Sequence, residues 1–268
     1  MGENPYRTME SRRLRVAVIG SGNVATHLAL ALKNKCDIVQ IYSRNVANAS
    51  ALADRVSESC TATGSPCELA KADVYIVSIK DDAIKPFLDS MPDSKKDALW
   101  LHTSGSVPRS VFDSSFKNSG VLYPLQTFSK DVELRIDEVS FFIEGSDEPS
   151  TQKIRSFAHL LSDSVYEADS GLRKKLHIAA VFACNFTNYM YSIADSLLEK
   201  NDIPFSVLIP LIKETTRKIT VAPPDKSQTG PAYRGDTGII ASHLSMLSGT
   251  DKEIYELLSN AILKRYSK

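Results

Sequence analysis

A glycine-rich loop follows an apolar run near the beginning of the chain, within the stretch RVAVIGSGNVATHLALAL. Gly20 permits a tight turn out of a strand, and Gly22 has no Cβ atom, so a pyrophosphate can approach its backbone. The helix that begins here would offer free N–H groups and a partial positive charge to the phosphates. This GxGxxA pattern predicts dinucleotide binding; the alternative is a glycine turn in a related domain that has lost its ligand. The predicted loop contacts are Gly20, Ser21, Gly22, Asn23, Val24 and Ala25.

The end of the second predicted strand, in the segment IYSRN, indicates which dinucleotide is preferred. An NAD-specific site holds an acidic residue about twenty residues beyond the glycines, where it would repel a 2′-phosphate. Ser43, Arg44 and Asn45 occupy that position here. A guanidinium group pairs with a phosphate, and the two neighbours can donate hydrogen bonds to it. The pattern therefore predicts NADP(H) rather than NAD(H), unless Arg44 is only a solvated surface residue.

Polar residues also follow the fourth and fifth predicted strands. In open α/β sheets the ligand lies beyond the carboxyl ends of the strands, so these residues are expected around the nicotinamide and its ribose. A strand end rich in serine and glycine can also be only a turn. Asp81 or Asp82 is expected to cap the helix after the fourth strand. The predicted cofactor contacts are Ser78, Ile79, Lys80, His102, Thr103 and Ser104, and the predicted substrate contacts are Gly105, Ser106 and, in YPLQTFS after the sixth strand, Gln126.

Candidates for acid–base chemistry lie on the first long helical segment of the C-terminal half. Hydride transfer leaves charge on a substrate oxygen or nitrogen, which a proton donor or fixed hydrogen bonds must meet. Lys174, His177, Val181, Asn185 and Asn188 recur at spacings of three and four, so an α-helix would place them on one face. Burying that polar face against helices would leave its groups without partners, so it is expected to face a cleft between domains.

On this interpretation His177 donates or relays the proton, Asn185 orients the substrate and Lys174 is a further candidate. The alternatives are a satisfied interdomain hydrogen bond for His177 and a solvated Lys174. A second segment, TGPAYRGDTGIIASHL, places Arg234 in a glycine-bearing loop and Asp236 at a helix start. Such a loop can form an anion pocket in which the arginine holds a carboxylate or phosphate. Alternatively, Arg234 only braces the loop through a carbonyl or Asp236.

The elements that must position these residues change character along the chain. Between Leu14 and Asp169, short β-rich runs alternate with amphipathic helices, and the strands are apolar throughout. This pattern predicts an α/β fold with a doubly wound (Rossmann), mostly parallel sheet. From Ser170 onward it predicts an all-helical C-terminal domain that begins with one helix of about thirty residues. The predicted organisation is a tail at residues 1–13, an NADP-binding domain at 14–169 and a helical domain for substrate binding and dimerisation at 170–268.

Composition excludes several classes of function. The chain has 268 residues and a formal net charge of zero, so neither nucleic acid nor an anionic membrane is an expected partner. No apolar run approaches the roughly 18 to 20 residues that a membrane span needs. The beginning of the chain lacks the apolar core of a signal peptide. The four cysteines show neither metal-ligand nor disulfide spacing, which favours a cytoplasmic protein without a metal.

The motifs together resemble a known family. The glycine loop, HTSGS, YPLQTFS, the helix from His177 to Asn185 and GPAYRGD are similar to Rossmann-like proteins with a C-terminal DUF2520 domain, which carry the label of NADP oxidoreductases. More distantly, the layout resembles pyrroline-5-carboxylate reductase, coenzyme F420-dependent NADP oxidoreductase, and the 6-phosphogluconate and β-hydroxyacid dehydrogenases. The resemblance implies an N-terminal NADP-binding domain and a helical domain that dimerises. The dehydrogenases' catalytic lysine would correspond to Lys174, but the asparagine that follows it there has no counterpart.

Two functional hypotheses follow. The first is an NADP(H)-dependent oxidoreductase that acts on a small anionic carbonyl, hydroxyl or imine compound, with His177, Asn185 and Arg234 at the substrate. The second is a catalytically inactive NADP(H)-binding sensor or scaffold, because no residue is an unmistakable acid or base. A homodimer formed through the helical domain is expected in either case.

Overall fold

The computed structural model describes residues 12–266. The predicted N-terminal tail therefore lies outside the described residues, apart from Arg12 and Arg13. Contacts divide the chain into two compact units, the first reaching to Cys184 and the second beginning at Asn185. The domain boundary predicted between Asp169 and Ser170 coincides with the beginning of a helix, and it stays a prediction.

The first unit is built on an eight-stranded sheet in the order β3-β2-β1-β4-β5-β6-β7-β8. Its strands are β1 Arg15–Ile19, β2 Asp37–Tyr42, β3 Thr61–Thr63, β4 Val74–Val77, β5 Leu99–His102, β6 Asn118–Leu125, β7 Ser140–Gly145 and β8 Val165–Glu167. All neighbouring strands are parallel except β6 and β7, which pair antiparallel. The predicted fold class is confirmed. The strand order reverses between β1 and β4, and ligands of such sheets bind at this switch point.

Helices cover both faces of the sheet. The helices of the first unit are α1 Asn23–Leu32, α2 Val46–Val56, α3 Asp81–Asp89, α4 Glu148–Ala158 and α5 Ser170–Ala180, with short 3₁₀ turns at Pro66–Glu68, Asp93–Lys95, Arg109–Val111 and Ile136–Glu138. Val16 and Val18 of β1 pack in one apolar cluster with α1, α2 and α4. Ala17 and Ile19 pack in a second cluster that includes α3. Burial of alternate residues on opposite faces explains why the strand is apolar throughout.

The predicted thirty-residue helix is interrupted in its hydrogen bonding. A π-helical segment, Val181–Phe186, follows α5 and leads into α6 Thr187–Glu199. The remaining elements are a 3₁₀ turn at Phe205–Leu208 and the helices α7 Ile209–Val221, α8 Pro224–Ser227, α9 Pro231–Arg234, α10 Thr237–Met246 and α11 Gly249–Tyr266. In its described residues the second unit contains no strand, in agreement with the prediction.

Candidate functional site

The glycine loop between β1 and α1 is shaped for a phosphate group. Gly20 has a φ of +125°, and a Cβ atom there would lie 2.1 Å from the Ser78 carbonyl oxygen, so no other residue fits. A Cβ atom at Gly22 would meet no atom within 4 Å, which leaves this backbone open to a ligand. No side chain caps α1, and its first turn contains no acidic residue. The helix amides and their partial positive charge therefore remain available to an anion.

The other residues of the loop have different environments. Ala25 is fully buried in the core, and Val24 packs against it, so both serve the close packing of α1 on the sheet. Ser21 Oγ donates to Ser43 Oγ at 3.0 Å and links the loop to the end of β2. The Asn23 side chain donates to the Phe128 carbonyl at 2.7 Å, so its amide group is engaged by a neighbouring segment.

The end of β2 presents one cation without an internal partner. Arg44 is exposed, and within residues 12–266 it forms no ion pair. The Asn45 side chain caps α2 by accepting a hydrogen bond from the Ala47 amide at 3.1 Å. The Asn45 side chain is therefore engaged in capping α2. The Arg44 guanidinium carries the charge that is available to a 2′-phosphate.

The ends of β4 and β5 lie side by side, as the parallel pairing requires. Ser78 Oγ and Thr103 Oγ1 share a hydrogen bond of 2.8 Å across the two strand ends. Ile79 is half-buried and Lys80 is exposed at the N-cap position of α3. Asp81 and Asp82 lie inside the first turn of α3 and no side chain caps it, so the predicted aspartate cap is wrong.

His102 is placed differently from the prediction. Its ring is fully buried, stacks on Phe112 at a centroid distance of 5.7 Å and accepts a hydrogen bond from the Ser104 amide through Nδ1 at 3.2 Å. Burial, with the positive charge of Arg173, lowers the pKa of His102 to about 3. A neutral, enclosed ring has no surface for a nicotinamide, so His102 supports the turn after β5. The sequence places the residue at a strand end but does not show which way its side chain points.

The turn after β5 is ordered by its own side chains. Ser104 Oγ accepts hydrogen bonds from the amides of Ser106, at 3.1 Å, and Val107, at 3.0 Å. Gly105 is buried in this turn, and a Cβ atom there would lie 2.9 Å from both the His177 ring and the Tyr123 ring. Only glycine lets the three segments approach this closely.

A tyrosine–histidine pair lies against this glycine. The Tyr123 hydroxyl of β6 and His177 Nδ1 of α5 are 3.1 Å apart, and the two rings meet edge to face. Tyr123 is only 7% exposed, and this burial raises the pKa of its hydroxyl while the nearby Arg173 charge opposes the rise. Two proton-carrying groups are thus in direct hydrogen-bond contact at the carboxyl end of the sheet. The sequence indicates His177, whereas Tyr123 stands in the segment YPLQTFS, from which only Gln126 is a predicted contact.

A buried ion pair holds α5 against the sheet. Arg173 is fully buried; its Nη1 lies 2.5 Å from Glu144 Oε2 of β7, and its Nη2 donates to the Val107 carbonyl at 2.7 Å. Ser170 Oγ donates to the same carboxylate at 2.8 Å and accepts from the Arg109 amide at 3.0 Å. The first turn of α5 is therefore tied to β7 and to the turn after β5. Sequence reasoning missed this network, although Arg173 stands one helical turn before His177.

The predicted polar face of the long helix is not a single α-helical face. Lys174 is exposed on α5, while Asn185 is exposed in the π-helical segment and Asn188 is exposed on α6. In a π-helix each hydrogen bond joins residues five positions apart instead of four. Residues spaced by three and four therefore do not stay on one face across this segment. The structure thus brings His177 to Tyr123 without establishing the common face predicted for His177 and Asn185.

The GPAYRGD segment forms α9 and a left-handed turn at Gly235, where φ is +73°. Arg234 Nη2 lies 3.3 Å from Asp236 Oδ2, which corresponds to the alternative in which the arginine braces its own loop. Asp236 occupies the N-cap position of α10, at the predicted helix start, and its side chain forms no capping hydrogen bond. Gln126 is exposed after β6, and its Oε1 accepts from the Thr127 amide at 2.8 Å.

Residues 12–266 contain no group of three or more histidine, cysteine, aspartate or glutamate side chains placed to hold a metal ion. In the same part of the chain, no helix combines the length and apolar character that crossing a membrane requires.

Comparison with known proteins assigns the family. Residues 15–103 match the family model of coenzyme F420-dependent NADP oxidoreductases, and residues 139–262 match that of DUF2520, a domain of unknown function. BF3122 from Bacteroides fragilis, provisionally assigned as an NADP oxidoreductase, is 42% identical with a TM-score of 0.86, and the match covers 94% of this chain and 98% of that one. No curated protein matches.

More distant structures share the fold. TM1727 from Thermotoga maritima is 21% identical with a TM-score of 0.65, over 93% of this chain and 97% of that one. An imine reductase from Myxococcus stipitatus, in complex with NADP⁺, is 13% identical with a TM-score of 0.64, over 93% and 92% of the two chains. In this chain a domain of the coenzyme F420-dependent NADP oxidoreductase type thus precedes a DUF2520 domain. Together with the identity to BF3122, these matches show that the chain belongs to the family of NADP oxidoreductases with this domain order.

Proposed function

We propose that the protein transfers hydride between NADP(H) and a small anionic carbonyl, hydroxyl or imine compound. The observation that carries the proposal is the hydrogen bond between Tyr123 and His177, beside Gly105 at the carboxyl end of the sheet. A paired hydroxyl and imidazole can deliver or accept the proton that must accompany a hydride. The open glycine loop supplies the site for the dinucleotide within the same unit.

The residues of the first unit fit the cofactor. The backbone amides of residues 20–25 would hold the pyrophosphate, with Arg44 and Ser43 at the 2′-phosphate of the adenosine ribose. Ser78, Thr103 and the backbone at Ile79, Lys80 and Ser104 would border the nicotinamide ribose. Bound NADPH supplies the hydride, and the protein supplies the proton and the orientation.

His177 would act as proton donor, with Tyr123 fixing its ring. When His177 carries a hydrogen on both ring nitrogens, Nδ1–H donates to the Tyr123 oxygen and Nε2–H can be presented to the substrate, so the loss of that proton leaves a neutral imidazole. In the direction of reduction, the carbonyl or imine carbon accepts a hydride while its oxygen or nitrogen takes the proton from His177. The imidazole then regains a proton from solvent, so each turnover consumes one NADPH and one proton.

Turnover is tested by following NADPH oxidation with keto acids and cyclic imines. His177→Ala is expected to abolish turnover and to retain NADPH binding, because the histidine lies on α5 and the glycine loop precedes α1. His159→Ala, at the end of α4, is the control and is expected to keep full activity. Tight NADPH binding without turnover on any compound would refute the enzyme proposal and favour the sensor.

The preference for NADP(H) is tested at Arg44. Arg44→Asp is expected to weaken NADPH binding by about 1 to 3 kcal/mol, the range for losing a charge-assisted contact, with little effect on NADH. Arg55→Asp makes the same charge change in the last turn of α2 and should leave both affinities unchanged. Equal losses for NADPH and NADH in Arg44→Asp would contradict the 2′-phosphate assignment.

We keep Asn185, Lys174, Arg234, Asp236, Ser106 and Gln126 as proposed substrate or catalytic contacts. Arg234 is the most readily tested of them. Its charge is more than half exposed despite the contact with Asp236, so an anionic substrate can compete for it. Arg234→Gln is expected to raise the KM for anionic substrates and not for neutral ones. An equal rise in KM for anionic and neutral substrates would indicate that Arg234 only braces its own loop.

We also propose that the second unit forms a homodimer with a second copy of this chain. Among its described residues only Ala232 and Ile240 are buried apolar side chains, whereas Met246, Val221 and Leu257 are 80%, 72% and 69% exposed. A helical unit with so little buried apolar surface requires a further surface to cover it. Light scattering on the full chain should give twice 29.5 kDa; a monomeric mass at micromolar concentration would refute the dimer.

A further inference from the structure

The segment after β6, residues 126–130, lies against the outer face of α1. The Phe128 carbonyl accepts a hydrogen bond from Asn23 Nδ2 at 2.7 Å, and the Ser129 carbonyl accepts one from His27 Nε2 at 2.9 Å. The Phe128 and His27 rings are also in contact, with centroids 5.4 Å apart. Two hydrogen bonds and one ring contact therefore attach two consecutive residues, Phe128 and Ser129, to the first turns of the helix that begins at the glycine loop.

These contacts contribute little to holding α1 in place. Leu28, Ala29 and Leu32 are fully buried and pack the opposite face of α1 into the core. Asn23 and His27 are four residues apart on the solvent side, where polar contacts add little to the free energy of folding. Their effect is on the segment, which they hold beside the N-terminal turn of the helix.

The place of attachment is the one at which a pyrophosphate would be held. Asn23 is the first residue of α1, directly after Gly22, whose backbone is open to a ligand. Its side chain points to the Phe128 carbonyl, so only its main-chain N–H remains for a phosphate. The flanking side chains of the segment, Gln126 and Thr127, are exposed and polar.

We propose that residues 126–130 form a strap that retains the bound dinucleotide, and that Asn23 and His27 are positioning residues which latch it to α1. Release of the cofactor then requires the latch contacts to break, so the latch controls the dissociation rate. The proposal rests on NADP(H) binding at the glycine loop and is independent of the chemistry assigned to His177.

The test measures NADPH dissociation from the full chain by stopped-flow fluorescence. His27→Ala removes one hydrogen bond and the ring contact, and it is expected to raise the dissociation rate about 2- to 13-fold, with the melting temperature of the cofactor-free protein lower by no more than about 6 °C. His27→Gln retains a donor for the Ser129 carbonyl and should recover most of the unaltered rate. His159→Ala is the remote control.

Adding Asn23→Ala to His27→Ala should increase the rate by less than the product of the two single effects, because both residues hold the same strap. An unchanged dissociation rate in the double variant would overturn the proposal. A melting temperature of the cofactor-free His27→Ala protein lower by much more than about 6 °C would also overturn it, since the contacts would then hold the fold itself. Failure of the unaltered protein to bind NADPH would refute the cofactor site itself, which distinguishes the two failures.

Discussion

Replacing Arg173 with methionine tests the network that positions α5. Arg173→Met removes the guanidinium and leaves the Glu144 carboxylate, whose side chain is only 17% exposed, with Ser170 as its nearest partner. Breaking a buried ion pair from one side costs about 3 to 5 kcal/mol because an uncompensated charge remains. The Ser170 hydroxyl and Arg109, whose Nε lies 3.8 Å from the carboxylate, compensate part of this charge. We therefore expect a loss near the lower end, about 3 kcal/mol of unfolding free energy.

The measurement is urea denaturation together with calorimetry. For a chain of this size, about 3 kcal/mol corresponds to a melting temperature lower by roughly 6 to 12 °C. Arg155→Met is the matched control, because Arg155 pairs with the exposed Glu167 in the same unit and such a pair contributes about 1 kcal/mol or less. Joint replacement of Arg173 and Glu144 by methionine should recover most of the stability, since no unpaired charge is left.

The outcome also bears on activity. A weakened attachment of α5 should displace His177 from Tyr123, so kcat should fall while NADPH affinity at the glycine loop is retained. If Arg173→Met unfolds at the same urea concentration as Arg155→Met, the ion pair does not stabilise this unit and the reasoning is refuted.

Two further predictions concern the turn after β5. Gly105→Ala should lower kcat with little change in NADPH affinity, since its Cβ would lie 2.9 Å from the His177 and Tyr123 rings and their separation costs about 1 to 3 kcal/mol; full activity would contradict the pairing. His102 stays neutral in the folded chain to about pH 3, whereas the unfolded chain takes up its proton below pH 6.5. The contribution of His102 to the free energy of unfolding should therefore be fully present above pH 6.5 and fall by up to about 1.4 kcal/mol per pH unit towards pH 3. His102→Asn is the reference, and parallel pH profiles of stability for the two proteins would contradict this prediction.

The central strands of the sheet were predictable because apolar runs buried on both faces leave a clear pattern. The strands Thr61–Thr63 and Val165–Glu167 have three residues each, which is too short for a period to show. The antiparallel pairing of β6 and β7 is decided by how the intervening chain returns to the sheet, which the residues of the two strands do not reveal.

The candidate site was predictable only in part, for a related reason. The glycine loop is local in sequence, and its geometry agrees with its pattern. Arg173 and Glu144 are separated by 29 positions, so their contact depends on the packing of α5 on β7. His102 shows the opposite case, in which the position along a strand is evident but the direction of the side chain is set by its neighbours in three dimensions.

The ion pair of α5 has a practical consequence for dissecting the protein. A shortened chain that stopped at Asp169 would retain every strand but would expose the Glu144 carboxylate and remove the partners of Val107 and Arg109. An isolated nucleotide-binding fragment should therefore extend through Ala180, so that the arginine and the histidine beyond it remain part of the folded piece.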